Sequence, residues 1–340
     1  MESTSTTQKM KAIIQEQTGG AETLIPGEVD LPIPKEGEVL IKIEYSALNR
    51  ADIMQRKGTY PPPPGSTSII GLECAGYIVN DLSELQDEKY KQNRRVMALL
   101  PGGGYAQFVT VHQNQVMDIP ESFSFEQAAA IPEVWCTAFQ ILVLIANIQK
   151  NETVLVHAAA AGVGTSMIQL CKKYGAKVIA VSSSEKKLKF CQELGADYLI
   201  NYKENPDFSK LVQEYTNGKG VDVIADPVLA SNFQYNIDSL AMDGRWVVYG
   251  TMGGTLIENS NFGLLLRKRA NIQFTTLRNR TIEYKGNLIQ RLQNECLAEF
   301  NSGLLKPIVD KVYGFSQIQE AHQYMESNES IGKILIKYDL

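Results

Sequence analysis

The 340-residue chain has few of the side chains that build metal or disulfide sites, with only three histidines and five cysteines. Cys74, Cys136, Cys171, Cys191 and Cys296 are dispersed and form no C-x-x-C pair. An odd, scattered set excludes a disulfide framework and a zinc cluster of the usual spacing. Cys171 and Cys191 fall within helical patterns, where cysteine ordinarily serves as a small buried apolar residue. His112 and His322 read as surface or packing residues, and His157 ends an apolar run. No apolar run is long enough to span a bilayer. Basic charge is not in excess either: 33 Lys and Arg face 38 Asp and Glu, for a net charge of −5. Composition therefore points neither to nucleic acid nor to an anionic membrane. The stretch from Met1 to Lys9 is polar and lacks the apolar core of a signal peptide, so a disordered tail and a cytoplasmic location are expected.

At 44% hydrophobic and 21% charged residues, the chain has the balance of an ordinary globular protein of about two domains. Its first part shows strand-like runs, Glu38–Tyr45 and Tyr105–Val111, broken by glycine and proline; Pro61 to Pro64 and Gly102 to Gly104 read as loop punctuation. From about Phe125 helical and strand patterns alternate, with Val221–Asp226 and Arg245–Gly250 as buried strands, which predicts a doubly wound parallel sheet. Ile272–Thr276, a helical stretch around Leu288–Phe300 and the strand-like Lys333–Lys337 follow.

The most informative segment runs from Val154 to Gly164: an apolar strand, then His157-Ala158-Ala159-Ala160-Ala161-Gly162-Val163-Gly164, then a helical pattern. Strict G-x-G-x-x-G is absent. Small side chains at a strand-to-helix turn nevertheless let the backbone approach a pyrophosphate, which helix N-terminal N–H groups then face. Met167, Ile168, Cys171 and Tyr174 recur at helical spacing, Gly175 stops the helix, and Lys177–Val181 reads as the next buried strand. A protein that binds NAD usually places a carboxylate about 20 residues past the glycines, on the ribose hydroxyls. Here the chain reads Ser182-Ser183-Ser184-Glu185-Lys186-Lys187. Hydroxyls and lysines suit a 2′-phosphate and a carboxylate would repel one, so NADPH is favoured over NADH. Glu185 lies beyond the expected strand end, as a first-turn helix acid.

Long segments, Ala47-Leu48-Asn49-Arg50-Ala51-Asp52, Leu99-Leu100-Pro101-Gly102-Gly103-Gly104, Ala130-Ile131-Pro132-Glu133 and Asp243-Gly244-Arg245-Trp246-Val247, resemble the medium-chain dehydrogenase/reductase superfamily. The likeness is to its zinc-free quinone oxidoreductase branch, which includes zeta-crystallin, and most of all to the tumour-suppressor-inducible group. It implies an α/β fold: a doubly wound Rossmann domain over 128–275, which binds NADPH, and a mostly β, GroES-like catalytic domain assembled from 1–127 and 276–340. The zinc alcohol dehydrogenases of the superfamily carry G-H-E; this chain has Gly71-Leu72-Glu73, and the usual cysteine ligand is missing from Ser46-Ala47-Leu48-Asn49. Leucine cannot ligate zinc, so no metal is expected.

By the same resemblance, Tyr60 and Asn49 face the nicotinamide or substrate as catalytic residues, and Tyr60 could donate to the reduced oxygen. The cofactor would be lined by Thr137, Ala161, Gly162, Val163, Gly164, Ser182, Ser183, Lys186, Tyr202, Tyr249, Gly250, Thr251, Thr276 and Leu277. Ala161 departs from the inducible group, which carries a serine at that place. Without a Lewis acid, the acceptor must need little polarisation, as a quinone or an activated alkene does. The expectation is an NADPH-dependent quinone oxidoreductase acting on a small electrophile; a double-bond reductase of enones or alkenals and a non-catalytic NADPH-binding protein stay open beside it. The superfamily commonly dimerises through edge strands, and the run Phe262–Leu266 before Ile272 is a candidate homodimer contact.

Overall fold

The computed structural model describes residues 8–79, 93–258 and 260–339. The chain forms two compact units, one made of Met1–Glu133 and Arg278–Leu340, the other of Val134–Leu277. The resemblance puts these divisions at 127/128 and 275/276. Most of the expected amino-terminal tail lies outside the described residues; from Lys9 onward it is strand.

In chain order, β1 (Lys9–Ile14) and β2 (Ile25–Asp30) form an antiparallel pair, followed by β3 (Glu38–Ala47), β4 (Glu73–Ile78), β5 (Arg95–Leu99), β6 (Phe108–His112) and β7 (Val116–Asp118). The second unit contributes β8 (Thr153–Val156), β9 (Lys177–Ser182), β10 (Tyr198–Asn201), β11 (Val221–Asp226), β12 (Leu240–Val248) and β13 (Asn271–Phe274). The chain then returns to the first unit with β14 (Val309–Gly314) and β15 (Lys333–Lys337).

The first unit holds a seven-stranded sheet in the order β14-β15-β3-β4-β5-β7, with β6 on β3. Alternation along β3 buries Val39, Ile41 and Ile43 in one core with Ile78, Val96, Val111 and Ile334, as expected of a strand packed on one face. β15 pairs antiparallel with β3, Ile336 opposite Ser46, and this brings the chain's last strand beside the helix Arg50–Arg56 that follows β3.

The second unit is a six-stranded, wholly parallel sheet in the order β10-β9-β8-β11-β12-β13. Leu155, Ile179, Val181, Ile224 and Val248 fill its core. Strand order reverses between β8 and β11, the switch point at which doubly wound sheets bind ligands beyond the strand carboxyl ends. β12 begins at Leu240, ahead of the expected Arg245, because it already pairs Val221 with Leu240 before a register shift to Val223 opposite Arg245. Within that irregularity Asp243 takes a left-handed φ of 59°. The α/β class read from the sequence is thus the observed one: a GroES-like, mostly β unit and a Rossmann-type parallel sheet.

Candidate functional site

In the second unit the turn after β8 leads directly into the helix Gly162–Lys173, whose N-cap, Ala161, supplies no side-chain hydrogen bond. The cap position is therefore left to backbone N–H groups, which suits an anion. Gly164 is obligatory there: a Cβ would lie 2.5 Å from both Ala158 O and Ala159 O. This is the close helix-to-strand approach that the last glycine of a dinucleotide fingerprint permits. Ala158 takes a left-handed φ of 49° to make the turn.

The remaining cofactor candidates follow the carboxyl ends of neighbouring strands. Ser182 ends β9 and is nearly buried, Ser183 follows it, and Lys186 stands exposed on the helix Glu185–Glu193. Tyr202, just past β10, is 46% exposed, and its N–H donates to Ser182 O at 3.1 Å, which joins the two. Tyr249, Gly250 and Thr251 follow β12, and Thr276 and Leu277 follow β13. Thr137 stands apart from this row on the helix Pro132–Phe139; beyond it Gln140 Nε2 donates to Thr276 O at 3.5 Å. His157 is a packing residue. Its Nε2–H donates to Asn236 Oδ1 at 2.7 Å, and Asn236 Nδ2 donates in turn to Asp226 Oδ2 at 2.9 Å.

The two catalytic candidates belong to the first unit, in a buried polar cluster. Glu73, at the start of β4, accepts from Asn49 Nδ2 (2.8 Å) and from the Glu133 N–H (2.8 Å), and pairs with Lys333 Nζ at 2.7 Å. Lys333 also donates to Asn49 Oδ1 at 2.7 Å and to Leu48 O at 2.5 Å. Both ends of the Asn49 amide are thus held by protein. Asp52, fully buried, accepts from the Asn49 N–H at 2.7 Å and from the Tyr105 hydroxyl at 3.1 Å.

The orientation of the next bonds is fixed by chemistry. Arg56 can only donate, so its NH1 gives a proton to His322 Nδ1 (3.3 Å); His322 Nε2 then carries the ring hydrogen and donates to Tyr105 (3.1 Å), leaving the tyrosine hydrogen for Asp52. Burial, followed by the Arg56 charge, lowers the His322 imidazole to about 3, consistent with this neutral tautomer. Burial raises Asp52 to about 6 against the pull of the Asn49 N–H and the Lys333 charge. Burial, then the neighbouring Glu73, raises Glu133 to about 8.

Tyr60 has no hydrogen bond from its hydroxyl within the described residues, and burial raises its phenol, so it stays protonated. The Arg278 guanidinium lies over its ring at 5.6 Å. Arg278 is itself buried: Nε donates to Pro101 O and NH2 to Gln55 Oε1, each at 2.8 Å, while NH1 has no acceptor among the described residues. Sequence reasoning missed Asp52, Glu133, Arg278 and Lys333 as members of this cluster. Asp52, Glu133 and Lys333 lie in motifs or strands already singled out and Arg278 follows one, but the partners come from distant stretches of chain.

A tetrahedral zinc site does not fit these residues. Leu72 is buried and apolar, Glu73 already faces the Lys333 ammonium, and among the described residues no three His, Cys, Asp or Glu side chains converge.

Residues 35–121 match the alcohol dehydrogenase GroES-like domain and residues 162–294 the zinc-binding dehydrogenase domain. Human quinone oxidoreductase is 29% identical over 96% of this chain and 97% of its own length. The rat synaptic vesicle membrane protein VAT-1 homolog is 30% identical over 90% of this chain and 78% of its own. Among solved structures, a mycobacterial protein complexed with NADPH superposes with a TM-score of 0.86 at 26% identity, covering 96% of this chain and all of the other. A Pseudomonas syringae quinone oxidoreductase gives 0.84 at 27%, over 96% and 99% of the two chains. The CurK enoyl reductase gives 0.83 at 26%, over 97% and 99%. With both domain matches in order along a chain of this fold, the protein belongs to the medium-chain dehydrogenase/reductase superfamily and is an oxidoreductase of that nicotinamide-binding family.

Proposed function

We propose that the protein is an NADPH-dependent quinone oxidoreductase that works without zinc. The observation that carries this reading is the end of β9: Ser182 and Ser183 stand where a ribose-binding carboxylate would be, with Lys186 and Tyr202 close by in the chain and along the sheet edge. Those groups would receive the 2′-phosphate, and the uncapped turn Ala161–Gly164 the pyrophosphate. Thr137, Tyr249, Gly250, Thr251, Thr276 and Leu277 would line the rest. Bound there, the nicotinamide supplies the two reducing electrons as a hydride.

The chain's own part is orientation, water exclusion and proton handling. Tyr60 has a protonated hydroxyl with no acceptor among the described residues and would donate it to the acceptor oxygen that gains charge. Asn49, clamped by Lys333 and Glu73, would hold a fixed wall beside it. A quinone carbonyl needs little further polarisation, and the human and P. syringae relatives are named for that acceptor. The second reading, an enone or alkenal double-bond reductase, is favoured by the likeness to CurK enoyl reductase. We also read the protein as a cytoplasmic homodimer. β13 is an edge strand whose last residue, Phe274, is 62% exposed, and Phe262 (61%) and Leu266 (81%) on the helix that precedes it are exposed too.

The test is oxidation of NADPH and NADH in parallel, each with an ortho-quinone and with a short enal. Quinone-dependent loss of NADPH well above NADH is expected. Reduction of the enal alone would establish the double-bond reductase, and NADPH binding with neither acceptor reduced would leave a non-catalytic binder.

A further inference from the structure

The first unit contains an open groove of about 750 Å³, bounded by the segment after β2, the loop 63–69, β6 and the start of the helix Ile282–Ser302. Its walls mix polar side chains with an apolar side that includes Val29, Ile33, Ile69 and Phe108. Two of its lining residues, Arg278 and Lys285, are cations only 4% and 5% exposed. Among the described residues neither has a carboxylate within ion-pair distance. Lys285 Nζ donates to Arg278 O at 3.3 Å, and Arg278 NH1 meets no acceptor there.

Buried cations that lack an ion-pair partner are costly, and a ligand with an anionic group would complete the pairing. The carboxylates that also line the groove do not supply it. Asp30, well exposed, pairs with Lys9 at 2.6 Å, and Glu38 accepts from the Lys35 N–H at 3.0 Å. The charges of Glu133 on both cations and of Asp52 on Arg278 act from beyond ion-pair distance, and burial raises the Glu133 carboxyl to about 8, which weakens its pull.

We propose that this groove binds an amphipathic small molecule with an anionic head group, its chain along the apolar walls and its head on Lys285 and Arg278. The Arg278 guanidinium also stacks on Tyr60, so occupancy would be felt at the candidate catalytic tyrosine. The proposal does not depend on the identity of the cofactor or the acceptor.

The test is calorimetric titration of the full chain with decanoate and, as the uncharged match, 1-decanol. Decanoate is expected to bind at least tenfold more tightly. Lys285→Met should bring the two within about twofold, with decanol unchanged, and Lys285→Arg should restore the preference. Thr67→Trp, which fills the groove from its wall, should weaken both ligands. Equal binding of the two ligands by the wild-type chain overturns the proposal, as does a decanoate preference that survives in Lys285→Met. The wild-type comparison decides the matter even if a variant fails to fold.

Discussion

Lys333 Nζ and Glu73 Oε1 stand 2.7 Å apart with their side chains 3% and 0% exposed, an ion pair sealed inside the first unit. The lysine comes from the last strand, β15, and the glutamate from the start of β4, where the Gly71-Leu72-Glu73 segment ends. Glu73 has three donors, and Lys333 reaches three oxygens. Such saturation is what a buried pair needs to offset its desolvation. The pair also fixes the Asn49 amide, so stability and the geometry of the candidate site are coupled at one point.

Removing one partner strands the other. Lys333→Met should destabilise the fold by about 3–5 kcal/mol, as expected when a buried charge loses its partner. In urea unfolding, the double variant Glu73→Gln/Lys333→Met should lose less than the sum of the two single changes. Strict additivity would show that the two side chains do not interact energetically.

Asp52 titrates far from its ordinary range, moving from 3.8 to about 6 on burial. Between about pH 4 and 6 the folded chain therefore holds this proton more tightly than the unfolded chain does. The resulting stability is complete below about pH 4 and is lost as pH rises through about 6. In Asp52→Asn the side-chain oxygen can still accept from the Asn49 N–H and the Tyr105 hydroxyl. Stability of this variant should fall less than wild type over that window, by about 2–3 kcal/mol, because each tenfold difference in proton affinity between the folded and unfolded chains corresponds to roughly 1.4 kcal/mol. Urea midpoints at a series of pH values would read the difference, and parallel curves would mean that Asp52 does not titrate there.

Tyr60→Phe removes a hydroxyl that no group among the described residues engages and that stands next to Arg278. Acceptor reduction should slow by roughly a hundredfold in kcat, the lower end for loss of a positioned proton donor. Cofactor affinity should not change. Steady-state kinetics with an ortho-quinone would show the split, and an unaltered kcat would exclude the tyrosine from the reaction.

The centre of the parallel sheet is readable because β8, β9 and β11 are short apolar runs, rich in Val and Ile and bounded by turns; β11 of that sheet and β15 of the first unit begin and end where the pattern places them. The start of β12 is not, because a register shift leaves no periodic signal. The polar cluster is hidden for a different reason. Arg56 and His322 are distant in sequence, and a buried histidine next to a buried arginine looks like two surface residues until β15 and the last helix fold back. Gly164 is legible as part of a small-residue turn, but its close approach to Ala158 O and Ala159 O is visible only once helix and strand are packed together.

Two changes in the nucleotide turn separate binding of the cofactor from recognition of its phosphate. Gly164→Ala would put a Cβ 2.5 Å from two carbonyl oxygens, too close without a backbone shift, so the turn itself must deform. NADPH and NADH should weaken together. Lys186→Ala removes only an exposed cation at the sheet edge. NADPH should weaken by about tenfold, equal to about 1.4 kcal/mol, while NADH stays unchanged. Fluorescence titration of both cofactors against both variants gives four affinities. If Lys186→Ala leaves the NADPH-to-NADH ratio intact, the 2′-phosphate is held elsewhere, and Ser182, Ser183 and Tyr202 become the groups to change next.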